Sequence, residues 1–288
     1  MKLSRRQFLK SGITAFGFAG LGICFIDNSF TLEMYSIRVP IEDLPNDFDG
    51  YRIGFLSDFH LGPFVLEEWI EDAVMRIVSQ DVDLLVLGGD YQGIPDSTLS
   101  KPFGNYRNRK YEHLSQEDAA ELIFSDLLKL LSLVRPKDGI VAVYGNHDRR
   151  SSPNVCSRIF SQRQDLFLLE NDTHIIKRGS SQIEIVGVAD YLSGFPKLPK
   201  FKFPNSSLLI SHNPDFVSSI LESSENRFGL ALCGHTHGGQ IKLPIFGALT
   251  YNINDLRFAE GLFRYGSSSV YTSRGIGMVE LPFRINCP

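Results

Sequence analysis

Five short clusters of aspartate, histidine and asparagine carry the side chains of this sequence that could do chemistry. They are Ser57-Asp58-Phe59-His60, Gly88-Gly89-Asp90-Tyr91, Gly145-Asn146-His147-Asp148, Ser211-His212-Asn213 and Gly234-His235-Thr236-His237-Gly238. Each cluster follows an apolar run, so each is expected at the C-terminal end of a β-strand, where open sheets bind their ligands. Any one of these residues alone could be an ordinary core or surface residue. Together they would place desolvated polar groups along one sheet edge, which is costly unless something binds them.

The ligand types indicate what binds there. Imidazole, carboxylate and amide groups without a thiolate suit divalent ions such as Mn, Fe, Zn or Ni. Cys233 stands next to the last cluster but is expected in the core of a strand. The sequence therefore predicts two divalent metal ions per chain, with Mn as the first choice, in a centre that hydrolyses a phosphate ester.

Short apolar runs alternate with amphipathic stretches along the chain, which is typical of an α/β layered domain. Strands are predicted at residues 51–57, 83–88, 140–145, 182–188, 207–211, 228–233 and 269–272. Helices are predicted around residues 66–77 and 116–134, the second with Ser115 as its N-cap. A single domain over residues 31–288 is the economical interpretation.

The five clusters in this order resemble the calcineurin-like metallophosphoesterase superfamily. The segment Gly238-Gly239-Gln240 and the C-terminal part from Ser273 onward resemble its YkuE/YaeI-like bacterial branch, so the similarity covers roughly residues 31–288. The resemblance implies a four-layer α-β-β-α sandwich, in which two mixed β-sheets lie face to face with helices on both outer sides. It also implies phosphodiesterase or phosphatase activity.

The resemblance further implies a role for each site residue. One metal would be bound by Asp58, His60, Asp90 and His237, and the other by Asp90, Asn146, His212 and His235. Asp90 would thus bridge both ions. His147 would face the leaving oxygen as a catalytic acid or hydrogen-bond donor, and Asp148 would orient it. Gly93 stands where protein phosphatases of the superfamily carry a second aspartate, which argues against a phosphoprotein substrate.

Two further stretches combine positive charge with aromatic residues. Residues 92–114 contain Arg107, Arg109 and Lys110, which are predicted to bind a second phosphate of the substrate, although an ordinary solvated loop is an equal alternative. Residues 192–205 alternate apolar side chains with lysines, a pattern that suits a bilayer interface. A packed loop or edge strand explains the same alternation.

The N-terminus predicts contact with a membrane. Residues 4–10 read Ser-Arg-Arg-Gln-Phe-Leu-Lys and precede an apolar, glycine-bearing stretch at residues 13–26. Residues 1–30 resemble a twin-arginine export signal, and an uncleaved membrane anchor is the alternative. Either interpretation predicts a membrane-associated or exported protein at the periplasmic or extracytoplasmic face.

Composition limits the partners. The formal net charge of -4 provides no basic field for nucleic acid, and no obligate protein partner is evident.

The preferred function is a dinuclear-metal phosphoesterase that hydrolyses a phosphodiester or pyrophosphate bond of a membrane-derived substrate, for example one related to UDP-2,3-diacylglucosamine in lipid A synthesis. The alternatives are a soluble nucleotide or cyclic-nucleotide phosphodiesterase and a non-catalytic exported metal-binding module.

Overall fold

A computed structural model of the chain describes residues 27–29, 31–94, 109–111, 114–222 and 228–288. The apolar stretch of the predicted signal or anchor lies outside these residues. The helices are Glu67–Val78 (α1), Gln116–Leu131 (α2), Asn146–Ser151 (α3), Pro153–Phe160 (α4) and Pro214–Leu221 (α5). The strands are Ile53–Leu56 (β1), Leu84–Leu87 (β2), Ile140–Val143 (β3), Leu166–Leu169 (β4), Asp172–Arg178 (β5), Ser181–Gly187 (β6), Leu208–Ile210 (β7), Leu230–Cys233 (β8), Lys242–Leu243 (β9), Gly247–Ala248 (β10), Gly261–Tyr265 (β11) and Ser268–Thr272 (β12).

The larger strands form two sheets. The first has the order β1-β2-β3-β4, and all its pairings are parallel. The second has the order β11-β12-β8-β7-β6-β5 and is mixed, because both edge strands run antiparallel to their neighbours. Strands β9 and β10 form a separate small hairpin.

Three apolar cores separate four layers. In β2, Leu85 and Leu87 pack with the helices α1 and α2, whereas Leu84 and Val86 pack against the second sheet. Strand β8 alternates in the same way, with its outer face packed against α5. Because neighbouring strand residues point to opposite faces, a sheet covered on both sides requires these continuous apolar runs. The predicted sandwich of two sheets between helices is confirmed, with mixed pairing in the second sheet.

Helix α2 begins as the sequence predicts. The Ser115 hydroxyl accepts the backbone N–H of Asp118 at 3.1 Å, which satisfies one of the amides that a helix start leaves without an intrahelical partner. This helix and α1 cover the first sheet and so support the strands that end at the clusters.

The stretch 192–205 contains no strand, and the structure favours the packed-loop alternative for most of it. Leu198 packs against the outer core and Phe201 is buried, while the lysines of the stretch are exposed. Phe195 is an exception, because most of its side chain is exposed. Within the described residues, no helix has the length and apolar character needed to cross a membrane.

Candidate metal centre

The five clusters meet because they follow strands that run in one direction. Strands β1, β2 and β3 are parallel, as are β7 and β8, and each ends two or three residues before the first predicted metal ligand of its cluster. Backbone hydrogen bonds tie the loops in pairs: the N–H of Asp58 donates to Gly89, and the N–H of Gly234 donates to His212. The amide of His235 donates to the Asp58 carboxylate at 2.9 Å and so joins the two sheets.

The backbone is unusual at these loops. Left-handed φ angles occur at Asp58 (54°), His60 (45°), Asp90 (55°), His235 (73°) and His237 (52°). Residues with a side chain rarely adopt this conformation, and such strain concentrates at functional sites. Two flanking glycines permit close approach: a Cβ on Gly145 would lie 2.1 Å from Asp90 Oδ1, and one on Gly234 would lie 2.4 Å from Asp58 Oδ2. The loops can therefore touch only because these positions have no side chain.

Asp58, His60 and His237 form the first group of buried ligand atoms. The Nε2 atoms of the two histidines are 3.1 Å apart, and His237 Nε2 lies 3.5 Å from Asp58 Oδ1. Burial lowers the pKa of His60 to about 3 and lowers the pKa of His237 well below its usual value. Two neutral imidazoles whose Nε2 atoms are this close are better suited to binding a shared cation than to hydrogen bonding with each other.

Asp90, His212 and His235 form the second group. His212 Nε2 lies 3.2 Å from Asp90 Oδ2, and its Nδ1 is 2.7 Å from the Gly88 carbonyl. The Nε2 of His235 is 3.3 Å from the Asn252 carbonyl. When a backbone carbonyl accepts a hydrogen bond from one ring nitrogen, the other ring nitrogen keeps its lone pair for a metal.

Asp90 connects the two groups. Its Oδ2 lies 3.2 Å from His212 Nε2 and 3.6 Å from His60 Nε2. Burial raises the pKa of Asp90, but the imidazoles of His212 and His147 outweigh burial and hold the pKa well below its ordinary value. Asp58 differs, since burial raises its pKa to about 6. Two buried carboxylates at one site need cations to compensate their charge.

Asn146 begins α3 beside this centre. Its side-chain oxygen Oδ1 is buried and accepts no hydrogen bond from the described part of the chain. A buried amide oxygen of this kind is costly without a partner, and a hard or borderline divalent ion is a suitable one. The donor set of the site therefore fits a pair of metal ions.

His147 lies within reach of the same centre. One of its ring nitrogens lies within 4.8 Å of a ring nitrogen of His60 and a carboxylate oxygen of Asp90, and its ring meets that of His60 edge to face at a centroid distance of 4.9 Å. Its backbone N–H donates to Asp90 Oδ1 at 2.9 Å. The residue is only half-buried, so a substrate can contact its imidazole.

The sequence predicts that Asp148 orients His147, and in the structure the Asp148 carboxylate contacts backbone N–H groups instead of the His147 ring. Its fully buried carboxylate accepts the backbone N–H groups of Asp90 (2.8 Å), Tyr91 (2.9 Å) and Gly145 (3.0 Å). All these donors belong to the loops after β2 and β3, and none is the His147 ring. Asp148 therefore positions the backbone that carries Asp90 and Asn146.

The predicted substrate-binding residues are only partly described. Arg107 and the side chain of Arg109 lie outside the described residues. The ammonium of Lys110 pairs with Glu67 Oε1 at 3.0 Å and with Asp126, so it fastens helices α1 and α2. Its contact with substrate stays a prediction.

Gly93 explains the missing second aspartate. A Cβ at this position would lie 2.2 Å from the His60 carbonyl oxygen. Every side chain would thus collide with the loop that carries a metal ligand. The backbone at this position therefore accommodates glycine and leaves no room for an aspartate side chain.

Two residues beside the centre were not among the site residues that the sequence predicts. Arg284 is 2% exposed and donates to the carbonyls of His237 (2.9 Å) and Gly277 (2.7 Å). Asp190 is 1% exposed, and its Oδ1 has no partner among the described residues. Asp190 follows the apolar run of β6 as the other site aspartates follow theirs, which is a signal that could have identified it. Arg284 carries no such signal.

Buried carboxylates, imidazoles and an amide at the common edge of two sheets define this protein as a metal-dependent phosphoester hydrolase. The family model of the calcineurin-like phosphoesterases matches residues 51–239, and the chain belongs to this family.

Similar proteins span the whole chain. It is 30% identical to phosphodiesterase YaeI of Escherichia coli over 289 residues, covering 99% of this chain and 96% of that protein. It is 28% identical to the uncharacterized metallophosphoesterase YkuE of Bacillus subtilis over 296 residues, covering 98% and 94%. Among solved structures, a dimetal phosphatase from Danio rerio matches with a TM-score of 0.46 and 11% identity, covering 78% of this chain and 88% of that one.

Proposed function

We propose that the protein is a two-metal phosphodiesterase. Asp58, His60 and His237 would hold one ion, His212, His235 and Asn146 the other, and Asp90 both. The observation that carries this proposal is the position of Asp90, whose Oδ2 lies within 3.6 Å of a histidine from each group. A shared carboxylate is what brings two cations close enough to act on one phosphate.

The proposed role of each group follows from its position at the site. When bound, divalent ions neutralise the phosphate oxygens and make a nucleophile from water near neutral pH. His147 faces the reacting phosphate from the half-exposed side and donates a hydrogen bond or proton to the leaving oxygen. The hydrogen bond from its backbone N–H to Asp90 Oδ1 fixes its backbone relative to the metal ligands. Asp148 fixes the same loops by accepting the backbone N–H groups of Asp90 and Gly145.

We propose a phosphodiester or pyrophosphate bond as the one that is hydrolysed. The backbone at Gly93 leaves no room for the second aspartate of the protein phosphatases, and one relative is named a phosphodiesterase. The donor set accepts Mn, Fe, Zn or Ni, with Mn as the first choice.

The substrate proposal is a membrane-derived phosphoester, with a UDP-2,3-diacylglucosamine-like molecule as its specific form. It is supported by the twin-arginine-type sequence of residues 4–10 and the apolar stretch that follows. The same segment supports the proposal that the enzyme acts at a membrane or beyond it. Release of UMP from the UDP-linked lipid would support this substrate class, whereas hydrolysis of cyclic nucleotides alone would favour a soluble nucleotide phosphodiesterase.

Replacement of His147 tests the catalytic proposal. With Mn²⁺ and bis(p-nitrophenyl) phosphate, His147→Ala is expected to lower kcat by roughly 10²- to 10⁴-fold, as loss of a general acid does. His174→Ala is the matched control, because His174 lies in β5 at the edge of the second sheet, stacks on Phe167 of β4 and belongs to none of the ligand groups. Full turnover by His147→Ala would show that another group serves the leaving oxygen.

A further inference from the structure

The tip of the β9–β10 hairpin exposes apolar side chains to solvent. Ile245 is fully exposed, Phe246 is 84% exposed and Leu249, just after the hairpin, is 63% exposed. Single exposed apolar residues are common on proteins. Consecutive bulky ones on a projecting turn are not, and they mark a surface that meets an apolar partner.

The conformation of the turn points in the same direction. Ile245 has a φ of 70°, in the left-handed region that a β-branched residue rarely adopts, and Gly247 follows with a φ of 76°. The isoleucine gains no packing from this arrangement, since its side chain contacts solvent. Strain that holds an apolar side chain outward is typical of a functional element.

The base of the hairpin is fixed to the metal centre. Only a few residues separate His237 from β9, and Gln240 between them binds the backbone of Val279 through both its side-chain oxygen and nitrogen (2.9 and 3.0 Å). Lys242 in β9 pairs with both carboxylate oxygens of Glu260 at 2.6 and 2.7 Å. The exposed tip thus projects from a rigid base that is continuous with the metal-ligand loop.

The N-terminal segment enters the fold at the same place. Asp27 and Ile241 both bridge to Ile285, and the amide of Asn28 donates to the Arg284 carbonyl at 2.9 Å. Ile241 directly precedes β9. The apolar sequence of residues 13–26 therefore joins the described chain beside the base of the hairpin.

We infer that residues 244–249 insert into the interfacial region of a lipid bilayer and form a second membrane contact beside the N-terminal segment. A narrow apolar turn can enter the boundary between head groups and acyl chains, whereas a stable protein interface needs a broad surface of about 1,000 Å² or more. This surface would hold the metal centre next to the bilayer. The inference rests on the membrane association proposed above and is independent of hydrolysis.

Tryptophan fluorescence in the full-length chain tests the inference. The sequence has one tryptophan, Trp69, which is half-buried and gives a constant background. Phe246→Trp places a reporter at the tip, and Leu133→Trp places a control on an exposed apolar position after α2. Each variant is mixed with phosphatidylcholine vesicles that contain phosphatidylglycerol, with and without lipids that carry a nitroxide near the head group.

Vesicles are expected to shift the Phe246→Trp emission to shorter wavelength, and nitroxide lipids are expected to lower it roughly twofold, as for a residue at the membrane interface. The Leu133→Trp emission should change in neither experiment. Unquenched emission from Phe246→Trp, or no binding to vesicles, would overturn the inference. So would emission that is already shifted without vesicles, since the N-terminal segment or a second copy of the chain would then cover the tip. Hydrolysis of bis(p-nitrophenyl) phosphate by the same variant, measured in parallel, separates these outcomes from failure of the proposed activity.

Discussion

At the scale of single residues, the two carboxylate oxygens of Asp90 have different contacts. Oδ1 accepts the amide of His147 at 2.9 Å, and Oδ2 faces the Nε2 atoms of His60 and His212. The amide of Asp90 in turn donates to Asp148. Asp90 thus belongs to the metal centre, and Asp148 belongs to the scaffold that holds it.

Asp148→Asn is expected to lower stability as well as activity. The amide replaces one acceptor oxygen with an NH₂ group that would face backbone N–H donors, which leaves buried groups unsatisfied. The free energy of unfolding should fall by on the order of 3 kcal/mol in urea denaturation. Asp72→Asn is the control, because its carboxylate pairs with Arg76 on the exposed face of α1 and should change stability by about 0.5 kcal/mol. Lost turnover with unchanged stability would instead make Asp148 a direct catalytic group.

At the scale of elements, the C-terminal segment after β12 supports the last ligand loop without regular structure of its own. Arg284 is buried and reaches the carbonyls of His237, Gly277 and Cys287. Its guanidinium therefore joins the metal-ligand loop to the end of the chain. Backbone carbonyls oriented in this way fix the ligand next to them, as outer-shell partners of a metal site do.

Arg284→Met tests the support given by this segment. Methionine has a similar length but no donors, so several carbonyls would lose their partner, and Mn²⁺ affinity should fall by about 10- to 100-fold. Arg284→Lys should recover only part of the affinity, because an ammonium cannot reproduce the fork of a guanidinium. Arg257→Met, at an exposed pair with Asp255, is the control. Metal titration that gives wild-type affinity for Arg284→Met would show that the segment does not position His237.

The elements that the sequence missed differ from the predicted ones mainly in exposure or length. All the predicted strands exist, with ends shifted by a few residues, because each contains buried apolar residues that the sequence pattern reveals. Strand β5 was missed because only Ile176 of its seven residues is buried at the sheet edge. Strand β4 has four residues, and helix α4 has eight. The shortness of α4 and the exposure of β5 leave too little periodicity for recognition, whereas β4 is as long as several strands that were predicted, so its length does not explain why it was missed.

At the scale of the whole molecule, the centre exists because parallel strands of two different sheets end on the same side. Sequence could predict this, since every cluster is a local motif that follows a strand. It could not predict that Arg284 lies under His237 or that Asp190 is buried beside the centre, because those contacts join distant parts of the chain. The charge compensation that the buried ligands require is likewise a property of the assembled fold.

The metal content of the purified protein tests the shared centre most directly. Elemental analysis after loading with Mn²⁺ should give two ions per chain for the wild-type protein and for His174→Ala. Asp90→Asn should lose both ions together, because each ion loses the carboxylate that also binds the other. One ion per wild-type chain, or one tightly bound ion retained by Asp90→Asn, would contradict a centre bridged by Asp90.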